Sequence, residues 1–289
     1  MTSADNFPGT GIGASAAPQA TETVLGVRMP ARQPKPRDRG LTMMIDWGLP
    51  PLHQADIVKT AGPFIDMAKI AGSIAGLMDE AVLREKLRLY READISTSQG
   101  GLFVELAVMQ GRVQALFESL ARLGFDAVEV SDNLLDWSLE EKRRVIASAR
   151  EDFGFRVLGE VGKKEGTLTD SEVLADLDAC FEAGAALVFL EAYEFFSGER
   201  IRADLIRSIA QRFGLERVIF ELPVVILPGV SREFKHRVTA WLVRELGTEV
   251  NLANLEWDEI WIAEMTRRGA GGDTSHPGGA YRLTDPGES

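Results

Sequence analysis

Eight short apolar runs recur along the chain, roughly 25–30 residues apart, and nearly every one ends on a charged or amide residue. They read Leu41-Thr-Met-Met-Ile-Asp46, Ile65-Asp-Met-Ala-Lys69, Ile95-Ser-Thr-Ser98, Ala127-Val-Glu-Val-Ser-Asp132, Arg156-Val-Leu-Gly-Glu160, Leu187-Val-Phe-Leu-Glu191, Val218-Ile-Phe-Glu221 and Val250-Asn-Leu-Ala-Asn254. A segment of helical character follows each. This alternation predicts the α/β class and, within it, a single-domain (β/α)8 TIM barrel, whose active site lies at the C-terminal strand ends. One pattern therefore sets both the fold and a short roster of site candidates.

The intervening segments carry helix signals. Ser138-Leu-Glu-Glu141 and Thr169-Asp-Ser-Glu172 are capping boxes. Val113, Leu116, Leu120 and Leu123 share one helical face, as do Leu139, Ile146, Ala149 and Phe153. Gly124, Gly154, Gly184 and Gly214 each stand where a helix should stop before the next strand. An open dinucleotide-binding sheet would carry Gly-x-Gly-x-x-Gly after its first strand. Here that turn reads Asp46-Trp-Gly-Leu-Pro-Pro51.

With 289 residues, 45% of them hydrophobic, one barrel uses most of the chain. Residues 1–34 are rich in Ala, Gly, Thr and Pro and read as a disordered arm, 35–270 as the barrel, and 271–289 as a flexible tail. A net charge of -12 disfavours nucleic acid and anionic membranes as partners, though a local basic site for a small anionic substrate is compatible with it. No secretory signal or membrane span is apparent, so a cytoplasmic protein is expected. Cys180, the sole cysteine, reads as a core residue and excludes both an intrachain disulfide and a thiolate zinc site.

Glu160-Val-Gly-Lys163-Lys164 is the densest constellation: a carboxylate and two amines on a short turn suit proton transfer beside an anion. Lys69 ends the second run among apolar neighbours and reads either as an anion contact or as a lysine reaching the rim. Strand-end carboxylates are Asp46, Asp132, Glu160, Glu191 and Glu221, with Glu129 one pleat back. Two or three converging among them would suit Mg2+, and others would pair with lysine or arginine. Gly100 and Gly101 precede a helix and offer amides to an anion. Asn251 and Asn254 flank the last run, where their amides bind substrate or cap the next helix. His53, His236 and His276 lack ligand spacing, and Trp241, Trp257 and Trp261 read as helix packing.

Taken together, Arg39-Gly-Leu-Thr42, Asp46-Trp-Gly-Leu-Pro-Pro51, Leu123-Gly-Phe-Asp-Ala-Val-Glu-Val-Ser-Asp132, Glu160-Val-Gly-Lys-Lys164, Val218-Ile-Phe-Glu221, Val250-Asn-Leu-Ala-Asn254 and Arg267-Arg-Gly269 with Gly272-Asp-Thr274 resemble the phosphosulfolactate synthase family. The resemblance implies a homo-oligomeric barrel lyase of sulfonate metabolism that adds sulfite to phosphoenolpyruvate with Mg2+. By the same resemblance, Lys163 or Lys164 supplies a proton or binds an anion. Glu160, with Asp132 or Glu191, helps hold the metal, and Lys69 neutralises substrate charge. Gly100, Gly101, Ser131, Asn251 and Asn254 are the expected substrate contacts on the residues' own chemistry and placement.

The chain departs from that family in its loops. Where the family has Phe-Gly-Trp-Gly-Thr, this chain has Ile70-Ala-Gly-Ser-Ile74, and where it has Glu-Gly-Arg-Glu-Ser-Gly, Glu191-Ala-Tyr-Glu-Phe-Phe-Ser-Gly198. Ser98-Gln99 stands for a Tyr-Pro, and a polar Pro-Gln-Lys loop is replaced by Pro223-Val-Val-Ile-Leu-Pro228. The last change removes anion contacts and adds apolar surface, which admits a less anionic substrate or nucleophile. Plant heat-stress-associated proteins also resemble the family, which admits a non-catalytic binding role.

Overall fold

A computed structural model describes residues 20–163, 168–198 and 200–271. The eight apolar runs form β1 (Thr42–Asp46), β2 (Met67–Ile70), β3 (Ser96–Gln99), β4 (Ala127–Val130), β5 (Arg156–Val161), β6 (Leu187–Leu190), β7 (Val218–Glu221) and β8 (Leu252–Leu255). They pair in chain order, all parallel, and β8 closes on β1. The barrel expected from the repeat is thus the fold.

Around it lie α1 (Pro51–Ala61), α2 (Glu80–Glu92), α3 (Gly101–Met109), α4 (Val113–Leu123), α5 (Leu139–Glu151), α6 (Asp170–Glu182), α7 (Ala203–Phe213), α8 (Arg232–Leu246) and α9 (Ile260–Arg267). Both capping boxes form, at Ser138 and Thr169. Gly124 ends α4 at φ 94°, a backbone state that a side chain disfavours. Leu139, expected on the core face of α5, is exposed, because it opens the helix before the turns that cross the barrel at Ile146 and Ala149.

Alternate residues of each strand serve two cores. Met43, Met67, Ala127, Leu158, Leu187, Phe189, Ile219 and Ala253 fill the barrel interior. Met44, Ala68, Val128, Val157, Val188 and Phe220 pack against the helices. Trp241 belongs to this outer core, but Trp257 and Trp261 are 40% and 48% exposed. They meet His53 and Phe64 edge-on at the surface, so the expectation of core packing holds for Trp241 only.

Of the arm expected at 1–34, residues 1–19 lie outside the described residues, as does the tail beyond 271. Residues 20–34 depart from the expected disorder. Ala20–Glu22 pairs with Arg28–Pro30, and the buried Arg32 guanidinium meets Glu249 at 3.1 Å and Glu264 at 3.3 Å. Arg32 and Arg267 both donate to the Thr248 carbonyl, closing the barrel end opposite the mouth. No helix among the described residues is long and apolar enough to cross a membrane.

Cys180 is fully buried on α6, its Sγ 3.7 Å from Asp176 Oδ1. Burial pushes its thiol up to about 12, against the pull of Lys142. A thiol reagent at pH 8 is therefore expected to leave the native protein untouched and to titrate one thiol per chain after denaturation. Rapid native modification would contradict this placement.

Candidate active site

The β pleat sorts the strand-end residues into two groups. Counting by two from the inward apolar positions, Met67 leads to Lys69, Ala127 to Glu129, Leu158 to Glu160, Phe189 to Glu191 and Ile219 to Glu221. All five line one cleft at the C-terminal mouth, of about 510 Å³ including its solvent-open part. Asp46 and Asp132 fall on the opposite parity. Asp46 is buried outside the barrel against Lys86 (2.7 Å) and the Tyr90 hydroxyl (2.6 Å).

Lys69 is the centre of the mouth. Its Nζ lies 3.0 Å from Glu129 Oε2, pairs with Glu221 Oε1, and sits 5.1 Å from the Phe189 ring centre. Burial opposes its charge, but Glu129, Glu221 and Glu160 outweigh burial and raise its pKa, holding the ammonium protonated. Carboxylate oxygens of Glu129, Glu160 and Glu221 all lie within 4.8 Å of one another. Glu129 is steadied by the Gly101 N–H (2.8 Å), and Glu160 by the Asn133 amide (2.6 Å). From α5, Lys142 donates to the Glu160 carbonyl at 2.6 Å.

Four carboxylates and one ammonium line this cleft among the described residues, so the described lining carries more negative than positive charge. The imbalance appears at Glu160. Burial first, then Glu221, Glu129 and Glu191, push it well above the usual carboxylate range, with Lys69 opposing. A proton or a cation relieves such a cluster. Three buried carboxylates, all hard oxygen donors, form a triad that can bind a metal ion of the Mg2+ or Ca2+ type.

The sequence candidates fall in several places. Glu160 is in the triad, and Glu191 lines the cleft beside it. Asp132 does neither: Lys142 lies 3.4 Å from it and bridges to Asp176 at 2.9 Å, behind the barrel wall. The Lys163 ammonium is turned to Asp136 at 2.9 Å, away from the cleft, and Lys164 lies outside the described residues. Asn251 is at the wrong end of its strand for substrate. It accepts from the Leu41 N–H and donates to the Leu215 and Val218 carbonyls, stitching the base of the barrel. Ser131 donates to Glu105, whose carboxylate also accepts the N–H groups of Asn133, Leu134 and Leu135 and so shapes the loop after β4.

Gly100 and Gly101 do line the cleft, but the Gly101 N–H binds Glu129 and that of Gly100 the Ile70 carbonyl. Their service is close approach: a Cβ on Gly101 would stand 2.2 Å from Ser131 Oγ. Asn254 is on the cleft wall. Leu222, with Val224 and Leu227 of the altered seventh loop and Trp47, adds apolar surface to the cleft lining. The sequence reading did not assign Glu129 and Glu221 as ligands, although strand parity marks both. It missed Asn133, Glu105 and Lys142, which carry no such periodic signal.

Asp132 offers a pH-dependent check. Burial raises it to about 6, with Lys142 opposing and Asp176 adding. A carboxyl raised on folding stabilises most below its unfolded value and progressively less as pH climbs from about 4 to about 6. Asp132→Asn removes that decline while Lys142 keeps Asp176. The variant is expected to gain on the order of 1–3 kcal/mol over the parent between pH 4 and pH 8, read from urea midpoints. A relative loss over that interval would contradict it.

Comparison with known proteins gives consistent matches. The family model described as ComA, (2R)-phospho-3-sulfolactate synthase, matches residues 30–273. The chain is 34% identical over 249 residues to the phosphosulfolactate synthase of Methanocaldococcus jannaschii, covering 82% of this chain and 94% of that one. It is 31% identical over 258 residues to that of Methanothermobacter thermautotrophicus, covering 85% and 95%. Among solved structures, a type I 3-dehydroquinate dehydratase from Clostridium difficile matches with a TM-score of 0.53 at 11% identity, over 86% of this chain and 97% of that one, a likeness of fold.

Proposed function

The chain belongs to the (2R)-phospho-3-sulfolactate synthase family, and from that we propose that it is an enzyme catalysing Mg2+-dependent addition of sulfite to phosphoenolpyruvate, giving (2R)-phospho-3-sulfolactate. The observation that carries the reading is the Glu129–Glu160–Glu221 triad around a protonated Lys69 at the barrel mouth. Mg2+ would be held by those three carboxylates and, when bound, supplies positive charge against the charge that develops on the substrate carboxylate.

In the reaction, the sulfur lone pair forms a C–S bond to the methylene carbon, the π pair moves to the adjacent carbon and its carboxylate, and that carbon takes a proton. Lys69 is held protonated, so its part is electrostatic: it fixes Glu129 and Glu221 and offsets negative charge in the cleft. Asn133 and Lys142 orient Glu160 through its side chain and its carbonyl. Leu222, Val224 and Leu227 shield part of the cleft from water. The proton returned to carbon is assigned to a lysine of the loop that starts at Lys163, at the end of β5. Lys163→Ala and Lys164→Ala test this: loss of turnover in a folded variant names the lysine, and retained turnover in both contradicts the assignment.

Phosphorus and proton NMR test the reaction itself. The expected result is sulfite-dependent loss of the enol resonance with the phosphate ester kept and one solvent deuteron on the carbon bearing it. Release of inorganic phosphate, or no change, would contradict the proposal. One observation favours a second reading, a less anionic acceptor: the described lining holds a single cation and carries apolar surface. A panel of unsaturated carboxylates without phosphate decides between the two. A cytoplasmic homo-oligomer is part of the same proposal, and the exposed Trp257, Trp261 and Ile262 are a candidate contact surface.

A further inference from the structure

The two ends of β8 differ in one respect. Leu252 pairs with Thr42 and Leu255 with Met44, so three steps on β8 match two on β1. One residue is extra, a bulge. Asn254 lies in it with φ 61°, one of two non-glycine residues with positive φ among those described. Side chains disfavour that region, and asparagine tolerates it better than most.

The conformation is braced from outside. Lys235 of α8, 1% exposed, donates to the Asn254 carbonyl at 2.6 Å and pairs with Glu259 at 2.5 Å. On the other side, Asn254 Nδ2 donates to the Leu222 carbonyl at 3.3 Å. A carbonyl only accepts, so this contact fixes which way the amide faces. The other terminus, Oδ1, is buried and has no hydrogen-bond partner in the protein. Asn254 is 6% exposed and lines the cleft that holds the carboxylate triad. A strained backbone, a buried brace and an unpartnered acceptor on one cleft residue are costly features for a purely structural position.

We propose that Asn254 is a ligand-binding residue whose Oδ1 accepts a hydrogen bond from an O–H donor brought into the cleft, with Lys235 as the positioning residue that holds the bulge. Two sources of that O–H fit the reading of the cleft as a metal-dependent sulfite-adding site, on which this inference rests: a water carried by the divalent cation, and the protonated oxygen of bisulfite.

The test uses the full chain with Asn254→Gly and Asn254→Asp. Glycine relieves the left-handed backbone and deletes the acceptor, whereas aspartate keeps an acceptor oxygen and tolerates the backbone. Two calorimetric titrations are run, Mg2+ alone and sulfite in the presence of Mg2+, beside a thermal melt of each ligand-free protein. N254G is expected to keep Tm within about 2 °C of the parent or to exceed it. It is also expected to weaken one titration about 10-fold, the size of one ordinary hydrogen bond, while N254D, which keeps an acceptor oxygen and adds negative charge, binds Mg2+ no more weakly than the parent. Weakening with Mg2+ alone identifies a cation-borne water, and weakening with sulfite only identifies bisulfite. Unchanged binding by N254G in both titrations overturns the inference, as does a fall of its Tm beyond that range. If the parent protein takes up neither probe, the metal-dependent reading fails and the inference resting on it falls with it, whereas normal uptake by the parent with unchanged uptake by N254G overturns the inference alone.

Discussion

Lys69→Met is expected to lose at least about 100-fold in turnover, the scale of removing one preorganised charged group from an active site. It is also expected to be destabilised by about 3–5 kcal/mol, because buried carboxylates lose their counter-ion. Both effects have one cause. Lys69 Nζ is the ammonium that Glu129 and Glu221 share, and it is 5% exposed. Without it the mouth holds four carboxylates and no cation among the described lining residues. The loss of stability should shrink as pH is lowered toward 5, since the freed carboxyls then take up protons. It should shrink also with added Mg2+. Denaturant midpoints at pH 5 and pH 8, with and without Mg2+, check this. Equal destabilisation in all four conditions would mean that Lys69 acts through packing, not charge.

Glu160→Gln is expected to separate stability from function. Glu160 is raised well above the usual carboxylate range by burial and by Glu221, Glu129 and Glu191. Its ionised form therefore weighs against folding as pH rises through and beyond the ordinary value, and the neutral amide removes that cost. The variant should melt higher than the parent at pH 8. It should also bind Mg2+ at least about 10-fold more weakly, as one of three charged donors is gone. Asp132→Asn is the matched control. Its carboxylate faces Lys142 behind the barrel wall, so Mg2+ binding should be unchanged. Loss of binding in Asp132→Asn with retention in Glu160→Gln would reverse the assignment of the triad.

The barrel was legible in the sequence because its period is long and its punctuation strong. Strands such as Ala127–Val130 and helices such as Leu139–Glu151 form where apolar runs and capping boxes place them. The site was legible in part. Lys69 and Glu160 were visible as polar endings of apolar strands, and the apolar loop at Val224 and Leu227 was visible against the family pattern. Choosing among the acids needed strand parity. Asp132 and Glu129 are three residues apart, yet one meets α5 and α6 and the other meets Lys69. Glu105, Asn133 and Lys142 were not legible, because each acts through loop geometry or through the carbonyl of a distant residue. Arg32 was hidden for a related reason: it lies in a stretch without periodicity and is ordered by partners at Glu249 and Glu264.

The central claim is that the carboxylate triad makes this barrel a metal-dependent sulfite-adding enzyme. Its most direct test is the rate of phosphosulfolactate formation from phosphoenolpyruvate and sulfite, with protein stripped by a chelator and then titrated with Mg2+. The account predicts no product from the stripped protein and a saturable rise in rate with Mg2+, the rise shifted to at least about 10-fold higher Mg2+ in Glu160→Gln. An unchanged rate after stripping, or no product at any Mg2+ concentration from folded protein, would contradict it.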